Sequence, residues 1–174
     1  MTGNQRDPSQ TADLEPPARA FACLGPVSIA YSCSGRGKPV LLLVPGFSLR
    51  ERLRERLADR FKVLAPEIGY RSGGIRGRLW LNGLIDTLGL ARPQVVVAGP
   101  RVLEALTYGI AEPDQVDRIA ILWRDPIVRT GPVLAPGGAP AGLSPPVLLL
   151  PLAAATPGNP IQPAEIEVLA RFLG

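Results

Sequence analysis

The feature that most constrains the fold is a repeated alternation of short strand-forming runs with amphipathic stretches. The runs lie at 40–44, 62–65, 95–98, 119–122 and 147–150, and the continuous apolar character of 40–44 is typical of a strand buried on both faces of a sheet. Helical periodicity covers 48–61, 79–88, 100–110 and 163–173. Strands that alternate with helices connect through right-handed crossovers. We therefore predict an α/β fold with a doubly wound, mostly parallel sheet.

Two short extended segments, 21–24 and 27–33, precede this alternation and are separated by Gly25-Pro26, which predicts a hairpin. Cys23 and Cys33 fall in its two strands and could face each other. Without histidine they do not make a zinc site, and we expect buried thiols rather than a disulfide. No cofactor or metal is expected.

Length and composition predict one domain. The 174 residues divide into a polar segment, 1–18, which we expect to be a disordered tail, and a single domain over 19–174 with a Pro/Gly-rich loop at 125–146. Apolar runs are far shorter than the roughly 20 residues of a membrane span, and the N-terminus lacks the apolar stretch of a signal peptide. We expect a cytoplasmic protein with no transmembrane segment.

The formal charge of +4 comes from arginine, which is concentrated at 50–60 and 71–78. The first stretch also carries Glu51, Glu55 and Asp59, so its charge is largely balanced along one helix. The second predicts a positive loop that can meet an anionic partner. Few aromatics and no nucleic-acid motif argue against nucleic-acid binding.

Several loop sequences resemble those of the α/β-hydrolases. Val-Leu-Leu-Leu-Val-Pro-Gly-Phe at 40–47 is similar to that family's strand and oxyanion loop, which normally ends in His-Gly-Phe, and Pro45 stands at the histidine position. The stretch 61–72 is similar to the following strand and its Pro-Asp and Gly-Tyr-Gly signature. The pattern at 112–119 is similar to the entry into a later strand. The resemblance, in short matches over 21–173, implies a shortened α/β-hydrolase-like chain without a cap domain.

The catalytic positions of that family are not retained. Where its Gly-x-Ser-x-Gly elbow should follow the strand, the sequence reads Gly99-Pro-Arg-Val-Leu103, which puts Arg101 at the serine position. The loop 157–163 resembles the one that holds the histidine, and Asn159 stands there. The chain has no histidine at all, so a Ser-His-Asp hydrolase is excluded.

The candidate site is therefore a residual pocket or anion-binding site and not a catalytic one. Arg101 is a permanent cation at the predicted start of a helix, where it can bind a carboxylate or phosphate together with nearby amides. The alternative is that Arg101 fills the vacated pocket, or pairs with Glu67 or Asp125. The residues expected around this pocket are Phe47, Glu67, Arg101, Val102 and Asn159.

Loss of the triad with retention of the core pattern favours a pseudoenzyme that acts as an interaction or structural subunit with protein partners. In this hypothesis the loop 125–146 can order by wrapping a partner. The alternative is a small anionic-ligand binder, or a non-hydrolytic enzyme, that uses the cleft near Arg101. A third hypothesis places the domain on the face of a membrane complex through its arginine-rich loops.

Overall fold

The secondary structure confirms the predicted alternation. The computed structural model describes residues 19–67, 78–123, 133–134, 145–152 and 161–174. Its strands are β1 (Arg19–Leu24), β2 (Val27–Ser34), β3 (Pro39–Leu43), β4 (Lys62–Pro66), β5 (Gln94–Ala98), β6 (Arg118–Trp123), β7 (Val133–Leu134) and β8 (Val147–Pro151). Its α-helices are α1 (Phe47–Ala58), α2 (Arg78–Thr87), α3 (Val102–Ala111) and α4 (Pro163–Leu173).

The described strands form one mixed sheet in the order β1-β2-β4-β3-β5-β6-β8-β7. The five strands from β4 to β8 in this order run parallel, while β2 pairs antiparallel with both β1 and β4. The predicted hairpin and the mostly parallel sheet are thus confirmed. Strand β7 lies within 125–146, where we predicted only a loop, and it adds an antiparallel edge to β8. Two residues are too few for strand periodicity to be read from the sequence.

Helices cover both faces of the sheet, as a doubly wound fold requires. On one face α1 and α4 pack against inward side chains such as Leu42 and Leu148, and on the other α2 and α3 pack against Leu41 and Ile119. Successive residues of each strand alternate between these two cores. Each fully buried aliphatic side chain contributes about 1.5–3 kcal/mol relative to an exposed one, so both helical layers stabilise the sheet.

The start of α1 differs from the prediction. The helix begins at Phe47 after Gly46, whose φ is 83°, and no side chain caps it. Ser48, where the predicted helix begins, therefore lies inside the first turn and does not cap the helix. The Glu51 carboxylate accepts a hydrogen bond from Arg54 Nε at 2.8 Å.

The cysteines also depart from the prediction. Both thiols are free, with Cys23 exposed and Cys33 partly buried. They lie opposite Ser28 and Leu64, respectively, so they do not face each other. Cys23 is exposed because the opposite side of β1, which carries Ala22, is the one that packs into the core. The predicted buried position is thus wrong for Cys23.

The predicted tail, 1–18, and most of the predicted loop, 125–146, lie outside the described residues. Within the described ranges, none of the helices has both the length and the apolar character needed to cross a membrane.

Candidate functional site

A cavity of about 550 Å³ opens at the carboxyl edge of the parallel strands. This is where doubly wound folds place their ligand sites, and the volume is typical of small-molecule pockets. Its walls come from the residues that follow β3 and β5, and from the ends of β6 and β8. The described lining residues are Pro45, Gly46, Phe47, Ser48, Leu49, Ala98, Gly99, Val102, Leu122, Trp123 and Leu152.

The turn that leads from β5 into α3 lacks the geometry of a nucleophile elbow. Such an elbow projects a reactive side chain from a strained strand-to-helix turn. Here the residue with positive φ is Gly99, at 66°, which has no side chain. Arg101, at the expected serine position, has φ −85° and ψ −7°, an unstrained right-handed conformation. The residues 99–101 form a single 3-10 turn before α3 begins.

The side chain of Arg101 is engaged within the helical layer. Its Nη1 donates to both carboxylate oxygens of Glu104, at 2.9 and 2.8 Å, and its guanidinium carbon lies 5.0 Å from the ring centroid of Trp80. Trp80 Nε1 donates to the same carboxylate at 2.7 Å. These contacts tie α2 to α3 and neutralise the guanidinium, and Arg101 is not among the residues that line the cavity.

The structure brings together only some of the residues predicted for the site. Phe47 and Val102 line the cavity, whereas Glu67 follows β4, away from α3, and its carboxylate forms a salt bridge with Arg19. The expected pairing of Arg101 with Glu67 is therefore not observed, because each has a nearer partner of opposite charge. Asn159 and Asp125 lie outside the described residues.

The sequence analysis did not predict that Trp123 forms an aromatic wall of the cavity. Trp123 is the last residue of β6 and is 53% exposed, while Phe47, at the start of α1, is 71% exposed. A signal was available, because a tryptophan at the carboxyl end of a predicted parallel strand belongs to the edge that holds ligand sites. No described lining residue carries a formal charge. The described part of the cavity is therefore suited to an uncharged, largely apolar group.

The strand order, the two helical layers and the cleft define an α/β-hydrolase-like fold. Cfl2 from Burkholderia cenocepacia matches with a TM-score of 0.53 and 23% identity, over 60% of this chain and 40% of that one. Epoxide hydrolase VrEH1 from Vigna radiata matches with a TM-score of 0.54 and 18% identity, over 67% and 42%. Naproxen esterase from Bacillus subtilis matches with a TM-score of 0.54 and 18% identity, over 62% of this chain and 43% of that one.

These likenesses establish the fold alone, and the matches span only about two fifths of the length of the three proteins. No protein-family model and no curated protein sequence matches this chain.

Proposed function

We propose that this chain is a catalytically inactive α/β-hydrolase-like protein that acts as an interaction or structural subunit of a larger protein assembly. The observation that carries the proposal is the turn after β5, where Gly99 takes the positive-φ position and Arg101 is bonded to Glu104. The chain also lacks histidine, the usual general base for a serine nucleophile. A hydrolase core without nucleophile or base is left with binding as its role.

The inactivity is tested on the full chain with p-nitrophenyl acetate and a fluorophosphonate probe, which labels activated serines covalently. We expect no labelling and no hydrolysis above the buffer rate. Ser48 supplies the one side-chain hydroxyl among the described lining residues, so Ser48→Ala is the matched variant. Stoichiometric labelling, or ester hydrolysis that Ser48→Ala abolishes, would contradict the proposal.

The interaction role is tested by mild affinity purification from the protein's own cells, followed by mass spectrometry and native sizing. We expect a stoichiometric protein companion. A chain that elutes alone as a monomer would contradict this half of the proposal. If the assembly is attached to a membrane through arginine-rich segments, attachment will weaken as the salt concentration rises. At 0.1 M salt the screening length is about 10 Å, so attraction between charges further apart than this is largely lost.

The open cavity favours a second candidate function, the binding of a small ligand. Our sequence hypothesis placed an anion at Arg101, but such an anion would have to displace Glu104. The uncharged lining between Phe47 and Trp123 instead supports a neutral aromatic or aliphatic ligand, since burying an unpaired charge there is costly.

Two probes of matched size, 2-naphthol and 2-naphthoate, separate these alternatives. Quenching of tryptophan fluorescence by the neutral probe alone, lost in Trp123→Phe, supports a neutral site. Binding of the anion that Arg101→Ala abolishes supports the anion site instead. If neither probe binds, the cavity is not a binding site for aromatic molecules of this size.

A further inference from the structure

A cluster of basic residues lies at the amino edge of the parallel strands, where β2 ends and where β3 and β4 begin. Its side chains come from two segments that contact each other, 34–38 and 55–62. We call this cluster the basic corner, and its members are Arg36, Lys38, Arg56, Arg60 and Lys62. All five are exposed, and none of the salt bridges between described residues involves them. The positive charge of the basic corner is therefore not neutralised by ion pairs within the described chain.

The backbone holds the two segments against each other. Lys62 N–H donates to the carbonyl oxygen of Lys38 at 3.0 Å. Gly35, with φ 75°, lies so close to the end of α1 that a Cβ there would be 2.1 Å from the carbonyl oxygen of Phe61 and 2.3 Å from that of Ala58. Only glycine permits this approach. The loop between β2 and β3 is thus fixed against the start of β4, so the backbone that carries the cations is organised before a partner binds.

Local structure accounts for only part of this charge. The C-terminus of a helix carries the equivalent of about half a negative charge, which Arg56 in the last turn of α1 satisfies on its own. The five cations face two carboxylates in the same segments, Glu55 and Asp59, which leaves an excess of three positive charges. Clustered like charges repel one another and disfavour the compact state. An anionic partner that docks at the basic corner would relieve this repulsion.

The surroundings of the basic corner favour a protein partner over a membrane or a single-stranded nucleic acid. The large hydrophobic side chains of the two segments, Leu57 and Phe61, are buried. Stable attachment to a membrane normally combines basic residues with an apolar or lipid anchor. Single strands of nucleic acid stack on exposed aromatic side chains. An acidic segment of a protein needs neither, because its carboxylates pair directly with exposed ammonium and guanidinium groups.

We propose that the basic corner binds a segment of a partner protein that is rich in Asp and Glu. This inference rests on the interaction role proposed above, and it names the docking surface and the chemistry of the partner. Lys62 pairs with Pro39, the neighbour of Lys38 in the chain. Adjacent strands are about 5 Å apart and alternate side chains of an extended peptide are about 7 Å apart, so successive carboxylates on one side of such a peptide can reach both ammonium groups.

The test is fluorescence anisotropy of a labelled oligoglutamate peptide titrated with the full chain. We expect saturable binding that weakens as the salt concentration rises, because exposed charges are screened beyond about 10 Å at 0.1 M salt. Lys38→Glu and Lys62→Glu are each expected to weaken binding at least about fivefold, since each removes one exposed ion pair and adds a repulsion. The double variant is expected to weaken it at least about twentyfold, as for two roughly additive changes.

Arg171→Glu is the matched control for these variants. It makes the same change of charge on α4, outside the two segments, at a side chain that is 76% exposed. Its effect on binding is expected to stay below about twofold, as for a screened charge away from the contact. Circular dichroism verifies that each variant folds, as expected for substitutions at exposed positions.

Three results of the peptide titration would overturn the proposal. The first is the absence of binding, and the second is an equal loss of affinity in Arg171→Glu and in the lysine variants, which would reflect net charge alone. The third is binding of phosphatidylserine vesicles, and not of the peptide, in a manner that the lysine variants abolish. That result would assign the basic corner to a membrane instead.

Purification from the protein's own cells separates this inference from the interaction role itself. The companion protein is expected to be lost from the double variant Lys38→Glu, Lys62→Glu and retained by Arg171→Glu. A companion that both variants retain overturns the basic corner as the docking surface while leaving the interaction role intact. A wild-type chain with no companion removes both.

Discussion

The ring of Pro45 occupies the space beside Gly99: its Cγ is 3.3 Å from the position that a Cβ on residue 99 would take. Pro45 stands where the hydrolase oxyanion loop carries histidine, and Gly99 makes the turn from which a nucleophile would project. The proline therefore restricts any side chain at that turn. The proline that replaces the pattern's histidine and the glycine that is retained at 99, distant in sequence, thus fit each other sterically.

Gly99→Ala is expected to destabilise the chain more than Gly89→Ala. Both glycines have positive φ, 66° and 61°, so both variants lose about 1 kcal/mol from backbone strain. A Cβ on residue 89 meets no atom within 4 Å, whereas one on residue 99 meets Pro45, which adds about 1 kcal/mol. Urea unfolding measures both. In a Pro45→Ala background the difference should vanish, and its persistence would contradict the contact.

Glu104→Ala is expected to cost about 2–3 kcal/mol, because it leaves both the guanidinium of Arg101 and the indole N–H of Trp80 without their carboxylate. Arg101→Ala should cost less, about 1 kcal/mol, since Trp80 keeps its hydrogen bond. Thermal or urea unfolding gives both values. The matched control is Arg171→Ala, at an exposed ion pair with Glu167, where the loss should stay within a few tenths of a kcal/mol. Equal losses of stability for all three variants would contradict the idea that the contacts of Glu104 with Arg101 and Trp80 hold α2 against α3.

Seven of the eight described strands, the four α-helices and the mostly parallel sheet could be predicted because they rest on local periodicity, whereas the two-residue strand β7 is too short to show any. The course of α1 could not be fixed as well, because its start depends on the positive φ of Gly46, which the sequence does not reveal. The exposure of Cys23 depends on which face of β1 is covered by α2, a contact between segments far apart in the chain.

The location of the candidate site was predicted correctly, but only some of its lining residues were. Phe47 and Val102 were expected at the carboxyl edge of the sheet and line the cavity. Arg101 was expected near it, but its side chain is bonded within the helical layer, to a carboxylate one turn along α3 and over an indole on α2. The arginine side chain is long, so its partners depend on which groups the fold brings near it, and its position in the sequence did not determine its role.

Tyr108 is expected to make stability fall at alkaline pH. Burial, followed by the charges of Asp86 and Glu112, raises the pKa of this phenol above its ordinary value of 10.0. The unfolded chain releases the proton near pH 10 while the folded chain retains it. The stabilisation is therefore complete below about pH 10 and is lost as the pH rises through the folded-state pKa.

Urea unfolding between pH 8 and 11 measures this loss, and Tyr108→Phe is the matched variant. The substitution removes the hydrogen bond of the phenol with Asn82 Oδ1, at 3.1 Å, and should cost about 1 kcal/mol at pH 8. It should also reduce the fall in the free energy of unfolding between pH 8 and 11. An unchanged slope would show that Tyr108 does not titrate differently in the two states.

Helix α4 is expected to depend on its N-terminal cap, while α1 does not. The Glu165 carboxylate accepts a hydrogen bond from the backbone N–H of Gln162 at 2.6 Å, so Glu165→Ala should cost about 1 kcal/mol. Ser48 makes no capping bond in α1, so Ser48→Ala should change stability by a few tenths at most. Thermal unfolding of the two variants compares them directly. A larger loss of stability for Ser48→Ala would contradict this, because it would indicate that the Ser48 hydroxyl is hydrogen-bonded at the start of α1.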